Sequence, residues 1–253
     1  MIVLFTDYGF NGPYLGQVSN ILIQGAPDVP VINLVADAPK FDPKRSAYLL
    51  AALHDEFPIG TVFFAVVDPS VGGTREPGVL EADGRWYVGP DNGLFELIIR
   101  RANSQPRWWE IIWRPDRLSA TFHGRDLFAP IAARLACGDT PDKERVKGKY
   151  FRKKTLKNIR RLEWPDDLAE IIYIDDFGNA ITGLRFDKVP RQADIYINNI
   201  KLPRCEKFTD VPRKKPFFYK NSNGLLEISV NQGSVEEILE ITPGVSLCIR
   251  NFS

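Results

Sequence analysis

Short apolar runs alternate with amphipathic stretches from the first residue to about residue 138. Runs of this length flanked by turn-forming residues predict strands, and the amphipathic stretches between them predict helices. The alternation therefore predicts the α/β class, with a layered α/β domain built on a mostly parallel sheet. The predicted strands are Ile2–Phe5, Val31–Leu34, Val62–Val67, Trp86–Val88 and Trp108–Ile112.

Helix and turn signals fit the same alternation. Asp42 and Pro43 supply an N-cap and a proline at the first helical position, so a helix is predicted to begin there. A second helix is predicted over Phe128–Cys137, which ends before a glycine. The pair Asp83-Gly84 is a hairpin signal, and it predicts one antiparallel excursion in the sheet.

The composition changes after residue 142. Residues 143–161 contain ten Lys and Arg residues and one acidic residue, and we interpret them as a solvated connector, with a phosphate-binding arm as the alternative. Short apolar runs separated by Asn, Gly and Pro follow, which predicts a small all-β domain. The expected organisation is an α/β domain over 1–142, a basic linker over 143–164 and a β domain over 165–253. The strands predicted in the β domain are Ile171–Ile174, Ile195–Ile197 and Leu225–Val230.

The charges are nearly balanced, with 33 Lys and Arg against 32 Asp and Glu, for a formal net charge of +1. This balance gives no global attraction to nucleic acid or to an anionic membrane, and we expect neither as a partner. No apolar run is long enough to span a bilayer, and the first residues are expected to form a strand rather than a targeting segment. Function must therefore be argued from a local site.

The three cysteines, Cys137, Cys205 and Cys248, are far apart and show no CxxC spacing. We expect buried, reduced side chains in a cytoplasmic protein, and a single disulfide is the alternative.

Polar side chains follow several predicted strands at the point where each strand ends: Asp7, Asp37, Asp68 and the pair Asp91-Asn92. Ligands of open α/β sheets bind outside the carboxyl ends of the strands, so these side chains are expected to converge on one crevice. For each aspartate taken singly, a capping or turn role is the alternative. The sequence has no GxxxxGK[ST], GxGxxG or GxSxG motif, which argues against a phosphate loop and a nucleophile elbow.

The two histidines have different surroundings. His54 lies on the polar side of a predicted helix, beside acidic residues, and is expected at the surface. His123 lies in TFHGRDLFAP, next to a glycine, an arginine and an aspartate, just before a helix. Because VVDPSVGGTR places Asp68 and Arg75 on either side of a turn, we hypothesise a cluster of Asp68, Arg75 and His123. The alternatives are a capping or core histidine and a structural salt bridge at a turn.

Six blocks of sequence occur in a characteristic order. They are TDYG (6–9), DPSVGGTR (68–75), GPDNGL (89–94), FHGRDLFAP (122–130), DDFGNAIT (175–182) and NSNGLLEISVNQGS (221–234). In this order they resemble the S-adenosyl-L-methionine (SAM) hydroxide adenosyltransferases, which are related to enzymes that install fluoride or chloride on SAM. The resemblance covers nearly the whole chain. It implies a hydrolase that cleaves SAM to adenosine and L-methionine by in-line attack of water on the ribose 5′ carbon.

The resemblance also implies roles for the hypothesised cluster. In the hydroxide-using relatives an Asp-Arg-His set holds the attacking water, and the matching residues are Asp68, Arg75 and His123. Since the guanidinium stays protonated, proton acceptance is expected to fall to His123 or to solvent. Halide-using relatives carry a tyrosine in place of Asp68 and a serine in place of Gly124. Water is therefore the expected nucleophile, and a halogenase is not expected.

Substrate-binding residues follow from the same resemblance. Asp7 matches the position that binds the ribose diol, and Phe41 matches an aromatic that packs on the nucleoside. Asn179 matches the position that contacts the adenine edge. Ser222 and Asp175 match residues that hold the amino-acid end of the methionine, and the neighbouring acid in DDFGN is a rival for the second role.

The family relationship further implies a homotrimer with sites between subunits. It implies no cofactor and no metal, since SAM is the substrate and already carries an activated leaving group. One departure concerns Gly12, where the family usually has an aspartate that contacts the substrate ammonium. Losing such a contact costs about 1.5–3 kcal/mol unless Asn11 replaces it. We therefore expect weaker retention of the methionyl end, and tighter SAM binding in Gly12→Asp.

Two other classes of function remain open from the residues alone. A metal-dependent hydrolase would use Asp7, Asp68, Asp91 and His123 as ligands, although no tight ligand motif such as HExxH is present. A non-catalytic protein that binds SAM or adenosine would keep the pocket without turnover.

Overall fold

A computed structural model of the protein describes residues 1–250, apart from the side chain of Asn158. The chain divides into two compact units, Met1–Leu162 and a second unit that begins at Glu163. The first unit combines helices with a large mixed sheet, and the second is built mainly from antiparallel sheets. The predicted α/β class with a smaller β domain is confirmed.

The first unit is organised around a sheet of seven strands. They are β1 (Ile2–Thr6), β2 (Val31–Val35), β3 (Val62–Val66), β4 (Pro77–Ala82), β5 (Arg85–Pro90), β6 (Arg107–Ile111) and β7 (Phe151–Lys154). Their spatial order is β2-β1-β3-β5-β4-β6-β7. The half containing β2, β1, β3 and β5 is parallel, and the pairs beyond β5 are antiparallel.

The helices of this unit are α1 (Tyr14–Gly25), α2 (Pro43–Leu53), α3 (Glu96–Arg101) and α4 (Ala129–Ala136). As predicted, α2 begins at Pro43, and the Asp42 side chain accepts a hydrogen bond of 2.9 Å from the Arg45 backbone N–H. The second predicted helix is α4. It follows a π-helical turn over Gly124–Phe128, a feature frequent at functional sites.

The predicted hairpin is also confirmed. Strands β4 and β5 pair in register from Pro77 opposite Pro90 to Ala82 opposite Arg85. The two residues between them, Asp83 and Gly84, have φ of 48° and 73°, as the twist of a two-residue hairpin requires.

The centre of the sheet positions the candidate site. Strands β1 and β3 are buried along their whole length and are parallel neighbours, with Ile2 opposite Val62 and Thr6 opposite Val66. Their carboxyl ends therefore lie side by side. Asp7 directly follows β1 and Asp68 follows shortly after β3, so two carboxylates emerge at the same edge of the sheet.

The basic segment differs from the solvated connector expected from its composition. Its β7 strand pairs with β6, and Lys154 lies 3.1 Å from the Glu76 carboxylate. Glu96, which is fully buried, accepts hydrogen bonds from the Arg160 side chain and from the Arg161 backbone N–H at 2.8 Å. Acidic partners from the loop before β4 and from α3 thus hold residues 143–162 in the first unit.

The second unit contains two antiparallel sheets and a short helix. Its strands are β8 (Leu168–Ile174), β9 (Ala180–Arg185), β10 (Asp194–Ile197), β11 (Ile200–Leu202), β12 (Pro216–Lys220), β13 (Leu225–Val230) and β14 (Cys248–Arg250), and its helix is α5 (Val235–Leu239). The strand orders are β12-β13-β9-β8 and β11-β10-β14. Buried side chains from both sheets, including Ile171, Ile195, Phe218 and Ile228, form one core.

Two expectations about burial are wrong. His54 is only 6% exposed, because the Tyr87 hydroxyl on β5 lies 2.9 Å from its Nδ1 and satisfies the ring inside the core. The cysteines are free but not buried, since Cys137 and Cys248 are exposed and Cys205 is half-buried. Within residues 1–250, no helix combines the length and apolar character needed to cross a membrane.

Candidate active site

A cavity of about 470 Å³ opens in the first unit where β1 and β3 end. It falls in the size range of pockets that hold small organic ligands. Four of the predicted site residues line it: Asp7, Phe41, Asp68 and His123.

Asp68 and Arg75 form a buried ion pair at the wall of this cavity. Their side chains are 5% and 7% exposed. Arg75 Nε donates to Asp68 Oδ2 at 2.9 Å, and Arg75 Nη2 donates to the same oxygen at 2.5 Å. The guanidinium also lies over the Phe128 ring, 5.3 Å from its centroid. The pair is thus fixed by several contacts, and it is oriented so that Asp68 rather than Arg75 faces the cavity.

His123 extends the pair into a chain of three side chains. Arg75 Nη2 lies 2.9 Å from His123 Nδ1. Because a guanidinium only donates, Nδ1 must accept, and a neutral ring then carries its proton on Nε2. Burial lowers the pKa of His123, and the adjacent Arg75 charge lowers it further. The ring is therefore held neutral, with Nε2–H as a donor.

The loop that carries Asp68 and Arg75 lies very close to the loop that carries His123. Gly72 has φ of 79°, and a Cβ there would lie 2.4 Å from the Ala120 carbonyl oxygen. Only glycine therefore allows the loop after β3 to approach the loop before His123 this closely. The Asn92 amide adds a hydrogen bond of 2.8 Å to the Val67 carbonyl, which supports the chain next to Asp68.

Asp7 and Phe41 are joined on another part of the wall. The Phe41 backbone N–H donates to Asp7 Oδ2 at 3.2 Å, and the Phe41 side chain is 75% exposed. Phe41 has φ of 59°, a conformation uncommon for an aromatic residue, and the Asp7 carboxylate holds it there. Burial raises the pKa of Asp7.

Sequence reasoning missed an aromatic group in the same cavity. Tyr8, Tyr14 and Phe122 line it, and the Tyr14 and Phe122 rings meet edge to face at 5.2 Å. The signal was available, because Tyr8 and Phe122 are direct neighbours of Asp7 and His123 in two of the recognised sequence blocks.

In the second unit, Asp175 and Asn179 are in direct contact. Asp175 Oδ1 accepts from the backbone N–H groups of Phe177 and Asn179, both at 2.9 Å, and Asp175 Oδ2 accepts from the Asn179 amide at 3.0 Å. Both carboxylate oxygens thus hold the loop and orient the Asn179 side chain. The rival acid, Asp176, is exposed.

Asn179 also lines a cavity of about 400 Å³ within the second unit, together with Phe177, Tyr219 and four other residues. The Tyr219 hydroxyl donates to the buried Glu227 carboxylate, a contact that sequence reasoning did not foresee. Ser222 is exposed in the turn between β12 and β13 and does not line this cavity.

Comparison with known proteins identifies the family. The chain matches the SAM hydroxide adenosyltransferase N-terminal domain over residues 2–144 and the C-terminal domain over residues 169–248. The chain belongs to the SAM hydroxide adenosyltransferase family. A relative in Thermus thermophilus, (R)-S-adenosyl-L-methionine hydrolase, is 36% identical, and the match covers 96% of this chain and 97% of that protein.

Two further proteins are also similar to the chain at lower identity. The fluorinase of Actinopolyspora mzabensis is 24% identical over 98% of this chain and 96% of its own length. The crystal structure of an uncharacterized conserved protein from Thermotoga maritima superposes with a TM-score of 0.83 and 27% identity, covering 99% of this chain and 100% of that chain.

The ligand set for a metal-dependent hydrolase is not assembled in this SAM hydroxide adenosyltransferase. Among the residues that the structure describes, no three His, Cys, Asp or Glu side chains are grouped as metal ligands. Asp68 instead faces a guanidinium.

The convergence expected for the strand-end residues is correct for Asp7 and Asp68 and wrong for Asp37 and Asp91, which do not line the cavity. Asp91 lies 3.9 Å from Arg161, and burial raises its pKa to about 6.

Gly12, which stands where the family usually has an aspartate, has a backbone conformation that disfavours a side chain. Gly12 has φ of 139°, and no atom lies within 4 Å of a Cβ built there. A side chain would have room, but the backbone strain of about 1–3 kcal/mol is comparable with the gain from a charge-assisted hydrogen bond. We therefore expect strain to offset part of the tighter SAM binding that Gly12→Asp would otherwise give.

Proposed function

We propose that this protein hydrolyses SAM to adenosine and L-methionine. The observation that carries the proposal is the chain of contacts from Asp68 through Arg75 to His123 at the wall of a cavity of about 470 Å³ that Asp7 and Phe41 also line. Membership of the SAM hydroxide adenosyltransferase family supports the choice of substrate.

The proposed reaction is an in-line displacement at the ribose 5′ carbon. The water oxygen forms a bond to C5′ while the C5′–S bond breaks, and the electron pair of that bond stays on the sulfur of methionine. One proton of the water is released. The departing sulfur needs no proton, so the protein contributes alignment and stabilisation of the attacking water. No cofactor is required.

The contacts favour Asp68 as the group that receives a hydrogen bond from this water. Arg75 and the Nε2–H of a neutral His123 can only donate. The role of proton acceptor that the sequence left open for His123 is therefore not supported by its tautomer, and we assign final proton release to solvent. In this arrangement Arg75 and His123 position Asp68 and the water.

The remaining substrate groups are assigned to the other predicted residues. Asp7 accepts from the ribose hydroxyls and Phe41 packs on the nucleoside. Asn179, oriented by Asp175, contacts the adenine edge, while Ser222 holds the amino-acid end. Because both oxygens of Asp175 bind its own loop, its contribution to the amino-acid end is expected to be indirect.

We further propose a homotrimer in which the second unit of one subunit completes the cavity on the first unit of a neighbour. A molar mass of three chains in solution, measured by light scattering, is the expected result, and a stable monomer with full activity would contradict it.

The three free cysteines support a reducing cytoplasmic location.

The test of the proposed function uses purified protein, SAM and water labelled with oxygen-18. Label on the 5′ oxygen of adenosine is expected, because attack at carbon places the solvent oxygen there. Adenosine without label, or SAM bound without turnover, would contradict the proposal and favour another route or a binding protein.

The activity is expected to depend on a neutral His123. Protonation would place a second cation against Arg75 and break the bond to Nδ1. Because the pKa of His123 is lowered, kcat/KM is expected to stay constant from alkaline pH down through about 6.5, the ordinary histidine value, and to fall only below it. A glutamine can accept from Arg75 without titrating, so His123→Gln should lose this acid limb. An inflection well above 6.5 would contradict the assignment.

A further inference from the structure

Tyr8 is a cavity residue that the proposed mechanism does not use. It directly follows Asp7 at the end of β1 and lines the cavity with Asp68, His123 and Gly124. Its ring packs edge to face on Phe122, with 5.8 Å between the ring centroids, and its centroid lies 6.3 Å from that of Tyr14. These contacts fix the direction of the phenol.

The phenol of Tyr8 occupies the space that a side chain at position 124 would need. A Cβ built on Gly124 would lie 2.0 Å from the Tyr8 oxygen and 3.1 Å from Tyr8 Cζ, and Cβ contacts under 3.0 Å essentially never occur in proteins. Gly124 has a negative φ, so its backbone does not require glycine. A side chain at position 124 would therefore have to displace the Tyr8 phenol.

The Tyr8 hydroxyl is a donor without a protein partner. Among the described residues, no group forms a hydrogen bond with it, and its oxygen is not one of the fully buried polar atoms. Burial raises the pKa of Tyr8, and the negative charges of Asp7 and Asp68 raise it further. The hydroxyl therefore keeps its proton at neutral pH and points into the cavity that Asp68 and His123 share.

We propose that Tyr8 determines which nucleophile reacts: its phenol, seated on Gly124, closes the end of the cavity beside Asp68 to anything larger than water, and its hydroxyl binds that water. This inference rests on the proposed hydrolysis of SAM and adds a specificity-determining residue to it. The selection would be steric, because the phenol takes up space on the cavity wall that Asp68 and Gly124 share and that a larger nucleophile would need.

The test supplies a second, larger neutral nucleophile. Each variant is incubated with SAM in water containing methanol, and adenosine is measured against 5′-O-methyladenosine. The unmodified protein is expected to form adenosine only. Tyr8→Leu keeps an apolar contact with Phe122 but empties the space beside Gly124, and its methyl ether is expected at least about tenfold above the detection limit of the assay. Tyr150→Leu, the same substitution at a buried tyrosine that does not line the cavity, should form adenosine only, like the unmodified protein.

A double-variant cycle tests the contact itself. Tyr8→Phe is expected to lower kcat about tenfold with little change in KM, because the hydrogen bond to water is lost. Gly124→Ala should lower kcat at least as much by displacing the phenol. Combining the two should give faster hydrolysis than Gly124→Ala alone, since the oxygen that clashes is gone and the remaining contacts are 3.1 Å and longer. Thermal unfolding of each variant confirms that it is folded.

The outcomes separate this inference from the proposed function. Strictly additive losses in the cycle, or exclusive formation of adenosine by Tyr8→Leu in methanol, would overturn the role of Tyr8 while hydrolysis stands. Failure of the unmodified protein to form adenosine would overturn both.

Discussion

Replacing Asp68 by asparagine is expected to lower kcat for SAM hydrolysis about 10²–10³-fold, comparable with the loss of one preorganised hydrogen-bonding group. The amide keeps the shape of the side chain but removes its charge, and its N–H groups would face the donors of Arg75. The attacking water then loses its acceptor. Single-turnover kinetics measures the chemical step, and calorimetry with adenosine shows whether the nucleoside site is intact.

The matched control is Asp37→Asn. Asp37 also follows a strand of the first unit, but it does not line the cavity, so the same change of charge should leave kcat within about twofold of the unmodified protein. Equal losses in the two variants would indicate a general effect of removing an aspartate. Retained activity in Asp68→Asn would contradict the assignment of the water site.

Replacing Arg75 by alanine is expected to lower the free energy of unfolding by about 3–5 kcal/mol. Asp68 is 5% exposed and would become a buried carboxylate without its cation, and His123 Nδ1 would lose its donor. Chemical denaturation at neutral pH measures the change. The loss should be much smaller in an Asp68→Asn background, where no buried charge is left behind.

An exposed ion pair of the same unit provides the comparison. Lys147 and Glu144 are 67% and 86% exposed and lie 3.2 Å apart. Because solvent screens such a pair, Lys147→Ala should change the unfolding free energy by less than about 1 kcal/mol. A similarly small effect of Arg75→Ala would show that the buried pair contributes little to stability.

The parts of the fold that local chemistry determines were predictable from the sequence. The start of α2 follows from Asp42-Pro43, and the β4–β5 hairpin follows from Asp83-Gly84, because capping and turn residues act on their own neighbours. The β7 strand was missed, since its lysines and arginines are folded into the sheet by acidic residues far away in the chain. His54 was misplaced for a similar reason, because its partner Tyr87 lies on β5, far from it in the chain.

The sequence predicted which residues form the candidate site better than it predicted how they contact one another. Recognition of the sequence blocks brought Asp68, Arg75 and His123 together, and their contacts in the structure agree with that grouping. The sequence could not predict which ring nitrogen of His123 carries the proton, because this depends on which nitrogen contacts the Arg75 guanidinium. The exclusion between Tyr8 and a side chain at position 124 is likewise visible only from coordinates.

The bond from the Phe41 backbone to Asp7 Oδ2 has a consequence for measuring how the sugar is held. One carboxylate anchors the aromatic wall and is also assigned to the ribose, so an Asp7 variant disturbs both at once and its effect cannot be divided between them. The sugar's share is better isolated from the ligand: comparing adenosine with its 2′- and 3′-deoxy analogues removes one hydroxyl at a time while the protein, and with it the anchored phenyl ring, stays unchanged.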